Sequence, residues 1–181
     1  EDWHKSRRAD FSKVEVPLLS CANWVGQGIH PRGNFNGYLE SASRQKWLEA
    51  HGDSHWSLFS SDYGLALQKK FFDYFLKGIH NGWDKTPPVT LNVRHPGPKF
   101  VLRHENEWPL ARAQWTKFYL NPENLSLDTK PPAKAVKAEY EATGEGLTFR
   151  LPPMEKETEI TGPMAAKIFL SSSTQDADLF L

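Results

Sequence analysis

The chain is 181 residues long, and its 22 Lys and Arg residues balance its 22 Asp and Glu. This length allows one or two domains with apolar cores, and no uninterrupted apolar run approaches the roughly 20 residues of a membrane-spanning helix. A net charge of zero gives no electrostatic ground for expecting nucleic acid or an anionic membrane as partner.

The one cysteine, Cys21, has no disulfide partner within the chain. It lies in the apolar run VPLLSCANW, where a small buried residue is the expectation rather than a nucleophile. The N-terminal EDWHKSRRADF has no apolar core of a signal peptide, and a reduced, cytoplasmic setting is the expectation. The C-terminal AAKIFLSSSTQDADLFL breaks off within an apolar strand pattern, so a piece of a longer protein is expected.

In chain order, KVEVPLLSCANW predicts a short apolar strand of the kind buried on both faces of a parallel sheet. GNFNGYLESAS predicts a short helix and RQKWLEAHG a second strand ending at Gly52. From Ser61 onward, Leu65, Leu67, Phe71, Phe72, Phe75 and Leu76 recur at three- and four-residue spacings, with Lys69, Lys70, Asp73 and Lys77 between them. That pattern predicts an amphipathic helix with Ser60 or Ser61 as N-cap and Gly78 as its stop. Strand, helix, strand, helix points to a parallel α/β sheet.

Near GWDKTPPVTLNV the pattern changes. Short alternating runs follow: VTLNVRH, KFVLRHE, QWTKFYL, AEYEA, LTFRLP, TEITG and AAKIFLSSS, with Pro, Gly and Asn between them, as in an antiparallel sandwich. The proline- and lysine-rich NPENLSLDTKPPAKAVKA reads as a surface loop.

The densest chemistry lies in HGDSHW. His55 falls between the C-terminal end of a buried strand and the next helix, where open α/β sheets place functional groups. Its bland alternative is a polar loop residue. Zinc binding by His51 and His55 is disfavoured, because Gly52 and Asp53 oppose the helix that would bring both rings to one face, and no third ligand cluster is present. Asp53 reads as a turn former.

VPLLSCANWVGQGIHPRGN, KWLEAHGDSHW, LQKKFFDYFLKG and ENEWPLARAQWTKFYL, four blocks in order along nearly the whole chain, together resemble the CocE/NonD group of serine hydrolases, the cocaine-esterase and X-prolyl dipeptidyl-peptidase type. The resemblance implies the C-terminal portion of an α/β-hydrolase domain, its last parallel strands and helix, over residues 1–85. The start of a jelly-roll-like antiparallel β-sandwich, incomplete here, would occupy residues 86–181. It also implies a Ser-His-Asp triad acting on a small ester or peptide substrate without a cofactor or metal. By position it matches His55 to the triad histidine, a general base suited by an imidazole pKa of about 6.5.

Two departures from the family pattern stand out. No G-x-S-x-G occurs, so the nucleophile elbow is not in this sequence. Where the family acid aligns stands Gly26, and no Asp or Glu occurs from Val16 to Leu39. The acid could come from an earlier loop, an amide such as Gln27 or Asn23 could orient the histidine, or the enzyme could be impaired.

Trp24, His30 and Trp56 are the candidates for a substrate pocket at the strand ends, against ordinary aromatic packing. A rival reading makes Trp108 and Trp115 a carbohydrate-stacking platform of a non-catalytic binding module. Core or interdomain packing is the plainer role for both.

Overall fold

The computed structural model describes residues 2–26, 29–97 and 99–179, with the side chain of His55 outside the described set. The chain divides into two compact units, Glu1–Ala111 and Arg112–Leu181.

The first unit is built on two strand–crossover–strand steps. Strand β1 (Leu18–Asn23) and strand β2 (Lys46–His51) run parallel, Leu18 opposite Lys46 and Asn23 opposite His51. A parallel pair cannot be closed by a tight turn, and helix α2 (Pro31–Glu40), with proline at its first position, makes the crossover. A preceding helix α1 (Asp2–Ser6) is five residues long and buries nothing.

From β2 the chain passes through α3 (His55–Phe59) and α4 (Asp62–Lys77) to strand β3 (Val89–His95), which lies parallel to β2 with Glu49 opposite Thr90. Strand β4 (Lys99–Glu105) then returns antiparallel to β3, giving a four-stranded mixed sheet in the order β1-β2-β3-β4. The runs at 89–95 and 99–105, expected to open a separate sandwich, thus hydrogen-bond into the same sheet as β1 and β2. The reason is tertiary: Val89 and Leu91 are fully buried and join Ala22, Leu48 and Ala50 in one apolar cluster.

Alternation along the strands sends side chains to two faces. The cluster just named also contains Tyr38 of α2, Trp108 and Leu110, so α2 covers that face. On the other face Trp47 packs edge-on against Phe71 of α4 and against Trp83, with ring centroids 6.4 and 5.2 Å apart. Helix α4 is the predicted amphipathic helix. Ser61 caps it by accepting a bond from Gly64 N at 3.1 Å, and Gly78 ends it in the left-handed region at φ 66°.

The second unit holds a small antiparallel ladder of β5 (Tyr119–Asn121) and β6 (Ser126–Asp128), with one isolated bridge between Ser126 and Arg150. Strand β6 lies inside the segment expected to be a loop. The turn residues explain it: Asn121 Oδ1 accepts from Glu123 N and Asn124 Oδ1 from Ser126 N, both at 3.1 Å, so the asparagines close a hairpin. Of QWTKFYL only its last two residues belong to β5, while AEYEA, TEITG and AAKIFLSSS form no strand. An alternating run acquires a ladder only when a partner strand lies alongside, and among the described residues these runs have none. The described fold is therefore a mixed α/β sheet unit followed by a two-stranded antiparallel one.

Candidate functional site

The C-terminal ends of β1 and β2 meet at one edge of the sheet. Trp24 N donates to His51 O at 3.0 Å, tying the turn after β1 to the last residue of β2. Asn23 is buried, and its Oδ1 accepts from Gly26 N at 2.6 Å. A Cβ on Gly26 would stand 2.8 Å from that oxygen and 3.2 Å from His30 Cδ2. A carboxylate at position 26 would have to displace the Asn23 amide from its bond. Gly26 thus fits the turn as built, and a larger residue there would require the Asn23 and His30 side chains to shift. Gln27 lies outside the described residues.

His55 is the first residue of α3, not a loop residue. Ser54 caps that single turn, its Oγ accepting from Ser57 N at 3.4 Å. One turn is too short for an apolar period to announce a helix, and the Ser54 cap with the close packing of Gly64 on Leu58 sets it. Asp53 serves as a turn former, its Oδ1 accepting from Ser54 N at 2.7 Å.

Of the expected pocket residues, Trp24 is anchored. Its indole donates to Asn92 O at 2.7 Å and stacks on Phe35 at 5.6 Å, which makes it a wall that joins β1 to β3. His30 is the residue before the first turn of α2, and its ring lies beside Gly26. Trp56 leaves 74% of its surface in solvent. Trp24 and His30 are therefore brought to the end of β1, while Trp56 stands on the outer side of α3.

A pair that sequence reasoning had not singled out lies closer to the sheet. Glu49 and His51 are two apart on β2 and therefore share a face, the one beneath α4. They are 2% and 3% exposed, and Glu49 Oε2 lies 2.9 Å from His51 Nδ1. Glu49 Oε1 and His51 Nε2 are both buried without a hydrogen-bond partner among the described residues. The carboxylate acts on its surroundings: Cys21, opposite it on β1, has its thiol pushed up to about 12 by burial and then by the Glu49 charge. The Tyr63 phenol is also pushed up, by burial first and Glu49 next. A signal for the pair did exist, since a glutamate and a histidine at i and i+2 in WLEAH interrupt an otherwise apolar central strand.

Among the described residues no group of three His, Cys, Asp or Glu side chains converges as a metal site requires. A cleft of about 360 Å³ lies at the other end of β2, lined by Gln45, Trp47, Tyr74 and Trp83 among others, away from His51.

The second half of the chain adds a decisive likeness. A family model described as the X-Pro dipeptidyl-peptidase C-terminal non-catalytic domain matches residues 81–181, more than half of the sequence. The chain belongs to this family. It is also a relative of the CocE/NonD hydrolases. Two solved structures of a CocE/NonD family hydrolase from Staphylococcus aureus are 39% identical to it over 72% of this chain, with TM-scores of 0.68 and 0.67. The chain spans 23% and 24% of the length of those structures. No curated protein matches it.

The region matched by that family, residues 81–181, contains Trp108 and Trp115, the tryptophans of the rival carbohydrate reading. Trp108 is only 9% exposed and packs on Phe35 at 4.9 Å, so it offers no face to a sugar. Trp115 is open to solvent, in the second unit. The histidines His30, His51 and His55 all precede the region whose family description is non-catalytic.

Proposed function

We propose that this chain is part of a serine hydrolase that cleaves ester or amide bonds, in acyl or X-prolyl peptide substrates, and that it supplies the histidine of a Ser-His-acid triad. In this reading the sheet unit ending at Ala111 closes the α/β-hydrolase domain and the segment after it opens a C-terminal β-sandwich domain, with the serine contributed by sequence other than this chain's. The observation that carries the reading is the 39% identity to a CocE/NonD family hydrolase. The chemistry available at the end of β2 agrees with it. His51 ends the parallel strand β2 and His55 follows four residues later, at the sheet edge where open α/β folds bind and turn over their ligands. Trp24 and His30, at the end of the neighbouring strand, would bound the substrate pocket.

The resemblance assigns the base to His55. The test of the hydrolase reading is labelling of the full-length protein by a serine-directed fluorophosphonate together with saturable p-nitrophenyl acetate hydrolysis. Both are expected, and absence of both overturns the reading. For the 181-residue chain alone, which has no G-x-S-x-G, hydrolysis at buffer background is expected.

A further inference from the structure

The turn that carries His55 leaves β2 through a glycine, and what holds that glycine comes from another strand. We propose that Phe100 of β4 is a positioning residue for the hydrolase base: its ring is the floor on which Gly52 rests, and so it fixes where β2 releases the turn that begins with His55. This deepens the hydrolase reading above and rests on it.

Glycine has the freest backbone of any residue, and three residues before a general base that freedom would blur the placement of the base. The sheet fixes the chain as far as His51, whose carbonyl accepts from Trp24 N at 3.0 Å. Gly52 is the next residue, and it is buried. Its φ lies outside the left-handed region, so backbone conformation does not call for glycine there. Space does. A Cβ on Gly52 would run into Cγ, Cδ1 and Cδ2 of the Phe100 ring, the farthest of the three at 2.6 Å. Cγ is the ring atom bonded to Cβ, so the ring can clear the position only by changing rotamer or by a shift of β4 itself. Strand β3 lies between β2 and β4, so the contact ties the end of β2 to a strand that is not its neighbour in the sheet.

The far end of the same turn is held as closely. Leu58 O accepts from Ser61 Oγ at 2.8 Å, and Phe59 O accepts from Gln68 Nε2 at 3.1 Å. A Cβ on Gly64 would collide with Leu58 O. Helix α3 is thus gripped by α4 at one end and, through Gly52, by Phe100 at the other. The plainer role for Phe100 is core filling, and it accounts less well for what is seen. Phe100 neither belongs to the apolar cluster built on Ala22, Leu48, Ala50, Val89 and Leu91 nor packs against it. It does lie within residues 81–181, the region matched by a family described as non-catalytic. A residue of that region would then support the turn of the base without touching substrate.

The experiment measures p-nitrophenyl acetate hydrolysis and fluorophosphonate labelling in the full-length protein. Phe100→Ala is expected to lower kcat by about 10–100-fold with KM within about threefold of the parent, and to slow labelling in parallel, because the base is misplaced while the ester site is kept. Leu91→Ala opens a cavity elsewhere in the same sheet; it should lower the melting temperature at least as much and leave kcat unchanged. Gly52→Ala should lower kcat to a similar extent as Phe100→Ala. Combining the two should cost little more than either alone, because the added methyl then occupies space that the ring has left. Phe100→Leu keeps most of the volume and the fold, and should lose about threefold in kcat with faster hydrogen exchange of the amides of residues 52–58. The parent kcat in Phe100→Ala overturns the proposal, as does an equal loss in Leu91→Ala or a strictly additive double variant. Should the alanine variants fail to fold, Phe100→Leu decides, and unchanged kcat with unchanged exchange at 52–58 overturns the proposal. An unaltered protein that neither takes the phosphonate nor turns over the ester overturns the hydrolase reading itself, and this assignment with it.

Discussion

Glu49 dominates the residue scale, because a carboxylate buried in a sheet shifts whatever lies beside it. Cys21 is one such neighbour: burial first and the Glu49 charge second push its thiol up to about 12 from an ordinary 9.0. Only the thiolate attacks electrophiles, and at pH 8 that difference of three units cuts its population by about 10³-fold. We therefore expect Cys21 in the folded chain to react with a maleimide or an aromatic disulfide at least about a thousandfold more slowly than after unfolding in guanidinium. Stopped-flow or mass-spectrometric labelling measures it, and fast labelling of the folded chain would show that Cys21 is not shielded by burial against β2. The expectation that Cys21 is a small packing residue agrees with its partial burial. Its electrostatic neighbour was not foreseeable, since Cys21 and Glu49 meet only through the register of β1 on β2.

Helix α4 is the element best specified locally. Its apolar stripe, its serine cap and its terminal glycine all lie within one contiguous stretch. Near its C-terminal end Asp73 is buried and bonded by Lys69 and by Lys77, the latter at 2.7 Å, which holds its carboxyl below the ordinary 3.8. A folded pKa below the unfolded one means that the unfolded chain takes up the proton first as the solution is acidified. The contribution is whole above about pH 3.8 and fades below it, toward the depressed folded value. Asp73→Asn should therefore lower stability near neutral pH and flatten the acid limb of a denaturation-midpoint against pH curve below about pH 4. Parallel acid limbs in the two proteins would count against the Lys69–Asp73–Lys77 cluster. Helix α3 shows the opposite case. One turn is too short for periodicity to announce it, and Ser54 and the packing of Gly64 set it, since a Cβ there would lie 1.8 Å from Leu58 O.

At the scale of the molecule the two units differ in what they bury. The first encloses Leu48, Ala50, Val89 and Leu91 within a four-stranded sheet. In the second, residues 153–179 carry no helix or strand, and most of them face solvent. Amides protected by neither ladder nor burial exchange by local fluctuation rather than by global opening. For the 181-residue chain, hydrogen exchange should give protection factors near unity across 153–179 and of about 10³ or more in β2 and β3. Equal protection in both regions would mean that the alternating runs near the C-terminus have found strand partners. The same measurement bears on the proposed sandwich, whose strands should become protected in the full-length protein.

The sequence by itself determined what depends on neighbours along the chain: β1, β2 and α4 by their apolar patterns, the caps at Ser61 and Gly78, and the four blocks that tie the chain to the CocE/NonD hydrolases. Tertiary structure decided what depends on partners far apart in sequence. Residues 89–105 read equally well as sandwich strands, and only the burial of Val89 and Leu91 against β2 drew them into the mixed sheet. Gly26 looked like a missing acid until the Asn23 amide was found occupying the direction its side chain would take. Glu49 and His51 are neighbours in any strand, but it is the burial of that strand beneath α4 and between β1 and β3 that removes water from the pair. A hydrogen bond of modest worth in solvent is strengthened there by the low local dielectric.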